Sequence, residues 1–193
     1  MGDLVTAARA KYEDDAEDAG DGAVMCAKRP PLNSIKEIVL SGIGLASIGD
    51  GFADAMQSVR VLDLSGNALT SWSDVGAIIS GLSQLVSLDV SRNPGLGGGA
   101  GSMGLKALCP SLKILQLNST GAAWPLIADS VTNLPGLVEL GLSSNGLGDV
   151  PADLPCSPAV SILWLGENSV ESWASLQVGL PSSSSSSQSA LLN

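Results

Sequence analysis

Two aspartates are the best-placed pair of residues for chemistry. Asp63 and Asp89 occupy the same place in neighbouring copies of one short pattern, Leu62-Asp-Leu64 and Leu88-Asp-Val90. If those copies stack as parallel strands, their backbones lie about 4.8 Å apart. Two carboxylates that close can divide acid and base duties between them. Such a pair needs water kept out, and no cleft can be read around it, so both are expected on a solvated binding surface. A second candidate is Pro94-Gly-Leu-Gly-Gly-Gly-Ala-Gly-Ser-Met-Gly104, which contains G-x-G-x-x-G at Gly99, Gly101 and Gly104. A dinucleotide site also needs an acid about 20 residues on, at a strand end. The strand there offers Gln116 and Asn118 instead, so the segment reads as a loop.

Other catalytic routes close by composition. The chain has no histidine, which removes Ser/His and Cys/His nucleophiles. Its three cysteines, Cys26, Cys109 and Cys156, are far apart and lack C-x-x-C spacing, so they read as free thiols of a reducing compartment. No catalytic residue, cofactor or metal site is assigned, and the chain is expected not to be an enzyme.

The elements that position these residues come from a repeat. Val59-Arg-Val-Leu62-Asp-Leu64-Ser-Gly-Asn67-Ala-Leu69 carries L-x-x-L-x-L-x-x-N-x-L. The pattern returns from Leu85, Leu137 and Val160, and in degenerate form from Ile35 and Leu112. Successive starts are 24, 26, 27, 25 and 23 residues apart. That period is the mark of a leucine-rich repeat, and an α/β solenoid follows: a horseshoe with a parallel concave sheet and helical or irregular convex returns. Strings at residues 73–82 and 127–134 have helical apolar spacing and are expected to form two of those returns.

In each copy the L-x-L segment is a strand whose leucines point inward while their neighbours point outward. The Asn that follows can satisfy backbone groups where the chain leaves the strand. Asn67, Asn93, Asn145 and Asn168 should therefore form a structural ladder, with Thr120 supplying one hydroxyl. Ile43, at the same place in the first copy, supplies nothing, so that repeat is expected to be looser or to act as a cap.

The outward residues define the candidate partner-binding face: Glu37, Asp63, Asp89, Gln116, Asn118, Glu139, Ile162 and Trp164. Trp164 has two readings, a contact anchor beside Ile162 or a residue covered by a C-terminal segment. Trp72, Trp124 and Trp173 open the return segments and are expected in the core.

Of the formal net charge of −10, residues 1–22 carry −5. No basic stripe exists for nucleic acid or an anionic membrane. The first twenty residues lack an apolar signal region, and no apolar run reaches a membrane span. Met1-Gly2 with Thr6 is a weak match to a myristoylation pattern. The expected organisation is an acidic, largely disordered or helical leader (1–30), a repeat domain (31–180) and a Ser-rich disordered tail (181–193) without a C-terminal cap.

Several strings resemble a known family. Leu64-Ser-Gly-Asn67-Ala-Leu-Thr-Ser-Trp72-Ser-Asp-Val75 and Leu85-Val-Ser-Leu-Asp-Val-Ser-Arg-Asn93 are similar to the leucine-rich region of tubulin-specific chaperone E, or tubulin-folding cofactor E. More specific is Leu115-Gln-Leu-Asn118-Ser-Thr120-Gly121-Ala-Ala-Trp124, where Thr replaces the usual Asn. Leu4-Val-Thr-Ala-Ala-Arg-Ala-Lys-Tyr12 resembles the link that follows that family's glycine-rich cytoskeleton-associated module. The resemblance implies a cytoplasmic, cytoskeleton-associated module that binds α-tubulin and works with other tubulin cofactors in assembling or dismantling the heterodimer. The family's glycine-rich module and ubiquitin-like domain have no counterpart, so the chain is expected to be a fragment or degenerate copy. The alternative is a generic repeat scaffold, of the phosphatase-regulating or axonemal type.

Overall fold

The structure is a computed structural model that describes residues 3–13, 30–98, 103–105, 110–152, 154–155 and 159–171. Six three-residue strands stack in chain order: β1 (Glu37–Val39), β2 (Val61–Asp63), β3 (Ser87–Asp89), β4 (Ile114–Gln116), β5 (Glu139–Gly141) and β6 (Ile162–Trp164). Every neighbouring pair is parallel. The register is the one the repeat dictates, with Ile38, Leu62, Leu88, Leu115, Leu140 and Leu163 in one row. Most of that row is fully buried, as are Leu64, Val90, Leu117 and Leu142 one step outside it. A leucine-rich-repeat solenoid is the result. In the sixth repeat Val160 and Leu163 are only half-buried, unlike their counterparts in the interior repeats.

Helices return the chain behind the sheet: α1 (Leu4–Tyr12) precedes the repeats, followed by α2 (Phe52–Ala55), α3 (Trp72–Gly81) and α4 (Trp124–Asn133). The apolar spacing located α3 and α4, but both start earlier than it suggested. Ser71 caps α3, its side chain accepting the Asp74 N–H. Pro125 stands in the first turn of α4, where a missing N–H costs nothing. Val75, Ile78 and Ile79 turn one stripe of α3 into the core, and Leu126, Ile127 and Val131 do so for α4. Trp72 is buried, whereas Trp124 is half-buried and donates its indole N–H to Gly148 O at 3.2 Å. Trp173 and the serine tail lie outside the described residues, as do Gly99, Gly101 and all three cysteines.

The Asn ladder is built across repeats. Each Asn donates its amide both to its own strand end and to the carbonyl one repeat back. Asn67 reaches Leu64 O and Leu40 O, Asn93 reaches Val90 O and Leu64 O, and Asn168 reaches Leu165 O and Leu142 O. Its oxygen meanwhile accepts N–H groups from the preceding turn. Asn67 takes those of Ile43 and Leu45, so the first repeat is capped by the second despite its exposed Ile43.

Thr120 changes the pattern locally. Its hydroxyl donates to Leu117 O within its own repeat at 2.8 Å. Asn145 compensates from behind, its Oδ1 facing the N–H groups of Thr120, Gly121 and Ala122. What the short Thr-Gly pair permits is close backbone packing. Gly121 has φ +72°, and a Cβ there would stand 2.7 Å from Gly97 Cα in the preceding 3-10 segment, Pro94–Gly98.

Helix α1 closes the N-terminal end. Leu4 and Ala8 are fully buried against the first repeat, and Asp3 caps the helix by accepting the Thr6 N–H. That bond holds the Asp3 carboxyl below its ordinary range. An edge strand presents unpaired backbone groups, and α1 satisfies those of Val39 in β1. Tyr12 Oη accepts the Val39 N–H at 2.9 Å, while Lys11 Nζ donates to Val39 O at 2.6 Å. Glu13 accepts the Leu32 N–H, fixing the following turn. Tyr12→Phe removes one acceptor from a partly buried N–H and is expected to cost about 1 kcal/mol. The check is hydrogen exchange: the Val39 amide should lose more protection than the Leu88 amide in the sheet centre, and equal loss would refute the cap.

Candidate protein-binding surface

Two outward columns cross the concave sheet. The first reads Glu37, Val61, Ser87, Ile114, Glu139, Ile162, and the second Val39, Asp63, Asp89, Gln116, Gly141, Trp164. Both follow from strand alternation, since the residues between them point into the core. Four of the twelve are acids and none is basic. Glu37 and Val61 are exposed, Gly141 is buried, and the others are half-buried.

Asp63 and Asp89 are register partners in adjacent strands. Each carboxylate accepts the N–H two residues on, Ser65 and Ser91 respectively, both at 2.8 Å. They are turn-forming groups at strand ends as well as surface charges. Among the described residues, no group of three or more His, Cys, Asp or Glu is arranged to hold a metal.

Four of the sequence-predicted residues are joined by hydrogen bonds that the sequence did not reveal. Trp164 Nε1 and Gln116 Nε2 both donate to Glu139 Oε1, each at 2.9 Å. Asn118 Nδ2 donates to Gln116 Oε1 at 3.0 Å, and Asn118 Oδ1 accepts the Ser143 N–H. The chain of contacts therefore runs from β4 to β6. Gly141 makes it possible: a Cβ at that position would overlap Gln116 Oε1, so the glycine lets the glutamine side chain lie across the sheet. The signal was a glycine in an outward place beside a glutamine. Trp164 consequently neither projects freely nor is fully covered; its N–H is fixed toward Glu139. Asn118 belongs to the turn after β4 rather than to either column, and its bonds hold Gln116 in place. Glu37 and Ile162 stand apart from this network, at the first and last strands.

The family model described as Leucine rich repeat matches residues 33–94. Human tubulin-specific chaperone E is 37% identical over 118 residues, which are 60% of this chain and 22% of that protein. The rat tubulin-specific chaperone cofactor E-like protein is 29% identical over 152 residues, 76% of this chain and 35% of that one. The chain thus spans only about a fifth to a third of the length of these curated relatives. Among solved structures, human trophoblast glycoprotein superposes with a TM-score of 0.58 at 30% identity, covering 76% of this chain and 57% of that one. The resemblance read from the residues is borne out by these relatives, and the repeat fold by the family model and the solved structure.

Proposed function

We propose that this leucine-rich-repeat chain is a binding module of the tubulin-folding-cofactor kind. It holds α-tubulin on its concave face, alongside other tubulin cofactors, while the heterodimer is assembled or taken apart. It acts in the cytoplasm, in association with the cytoskeleton, by binding energy alone and without a catalytic step of its own. The observation that carries this reading is the similarity to chaperone E proteins across the repeats. The concave face supports it chemically, because a stacked sheet presents its outward columns as one surface. Glu37, Asp63, Asp89, Gln116, Glu139, Ile162 and Trp164 offer charge, amide and aromatic contacts there, and Asn118 braces Gln116 from the adjoining turn.

The test is retention of purified soluble tubulin by the immobilised chain at low ionic strength. Retention is expected, and its absence would sink the proposal. A triple variant, Glu37→Ala, Asp63→Asn and Trp164→Ala, should bind at least about tenfold more weakly, a loss of roughly 1.4 kcal/mol. Asn at position 63 keeps an acceptor for the Ser65 N–H, so the turn survives. Undiminished retention by a folded triple variant would move the docking site off the concave face.

A further inference from the structure

We infer that Glu139 and Trp164 form a receptor for an arginine side chain of the protein partner. The inference rests on the concave-face reading above and supplies the chemistry of one contact within it. Glu139 lies in β5 between its register partners Ile114 and Ile162, on a half-buried patch where water competes less for a charge. Its Oε1 already accepts from Gln116 Nε2 and Trp164 Nε1. Both donors are neutral, and among the described residues the carboxylate has no ion pair. The one salt bridge found there joins Arg9 and Glu13 on α1. Oε2 is left for a donor from outside.

The indole beside it selects the kind of donor. Its N–H is tied to Glu139, which orients the ring while leaving it only half-buried. A cation is attracted to the face of a tryptophan, and a guanidinium can stack on that face while its in-plane N–H groups point at a carboxylate. A lysine ammonium is more strongly hydrated and has no plane to stack. The pairing of an oriented indole with an unpaired carboxylate therefore favours arginine. Ile114 and Ile162 flank the contact and can cover the apolar stem of the incoming side chain. Gln116, held by Asn118 and admitted by Gly141, is a positioning residue for the carboxylate.

The probe is N-acetyl-arginine amide, titrated into the full chain labelled with nitrogen-15, with N-acetyl-lysine amide as comparison. The Trp164 indole N–H resonance, assigned through Trp164→Phe, is expected to shift saturably with the arginine compound and several-fold less with the lysine one. Glu139→Gln keeps an oxygen for the indole bond but removes the charge, and should abolish the arginine shift. Equal responses to both compounds, or an unchanged response in Glu139→Gln, would overturn the inference. Tubulin retention by the unmodified chain is scored separately. If it fails while the titration succeeds, the partner assignment falls and the arginine receptor stands.

Discussion

Replacing Asn93 with alanine is expected to lower the unfolding free energy by about 4 kcal/mol, a large part of the stability of an ordinary domain. Asn93 is fully buried between the second and third repeats. Its oxygen accepts the Leu69 N–H, and its amide donates to Leu64 O and Val90 O, with a longer contact to Ser91 O. Truncation leaves one backbone donor, the Leu69 N–H, and one carbonyl, Val90 O, unpaired where water has no ready access, while Leu64 O keeps the Asn67 amide and Ser91 O keeps the Gly66 N–H. Each such group costs roughly 1–3 kcal/mol. Two such groups together account for the stated figure. Asn168 makes the corresponding bonds in the last repeat, with the Asn145 N–H as one further donor, but it is only half-buried, so water can replace part of what Asn168→Ala removes. Its loss should be about half as large. Urea unfolding with the slope held constant checks both. Equal midpoints for the two variants would mean that burial does not set the worth of the ladder.

Gly76→Ala is expected to destabilise by about 2 kcal/mol, although helix propensity alone predicts a gain of about 1 kcal/mol. Gly76 lies inside α3 and is buried. A Cβ there would overlap the carbonyl oxygen of Met103, a backbone atom of the next repeat. A flexible side chain could swing aside, but a carbonyl moves only if its loop moves. The overlap therefore outweighs the gain in propensity. Ser80→Ala on the exposed side of α3 provides the control, and should gain a few tenths of a kcal/mol by propensity. If Gly76→Ala also stabilises, the close approach of the two repeats is refuted. The same logic governs Gly97 and Gly121, whose backbones meet in the turn where Thr120 replaces Asn.

The strands, their register and the two outward columns are legible in the sequence. A strand repeats every two residues and the solenoid every 23 to 27, so one alignment of copies assigns each strand residue a face. Asp63 beside Asp89, and Trp164 beside Ile162, follow from that alone. The family resemblance was legible for a similar reason, since the Thr120-Gly121 pair breaks an otherwise regular pattern. Helix α1 was harder to place. Leu4 and Ala8 are its only buried residues, a weak stripe within an acidic leader, and its capping bonds join Tyr12 to Val39 across 27 residues of chain.

The residues alone therefore specify the architecture and its outward face: a parallel solenoid, an Asn ladder, and two outward columns that share four acids, one column ending in a tryptophan. Repetition suffices for this, because each copy meets its neighbour in one register. Tertiary structure decided what those surface residues do to one another. It turned the carboxylates of Asp63 and Asp89 into turn-forming groups and drew Gln116 and Trp164 onto one oxygen of Glu139. It also placed Met103 against Gly76. These outcomes depend on side-chain rotamers and on loops of unequal length between the copies, and no period in the sequence encodes either.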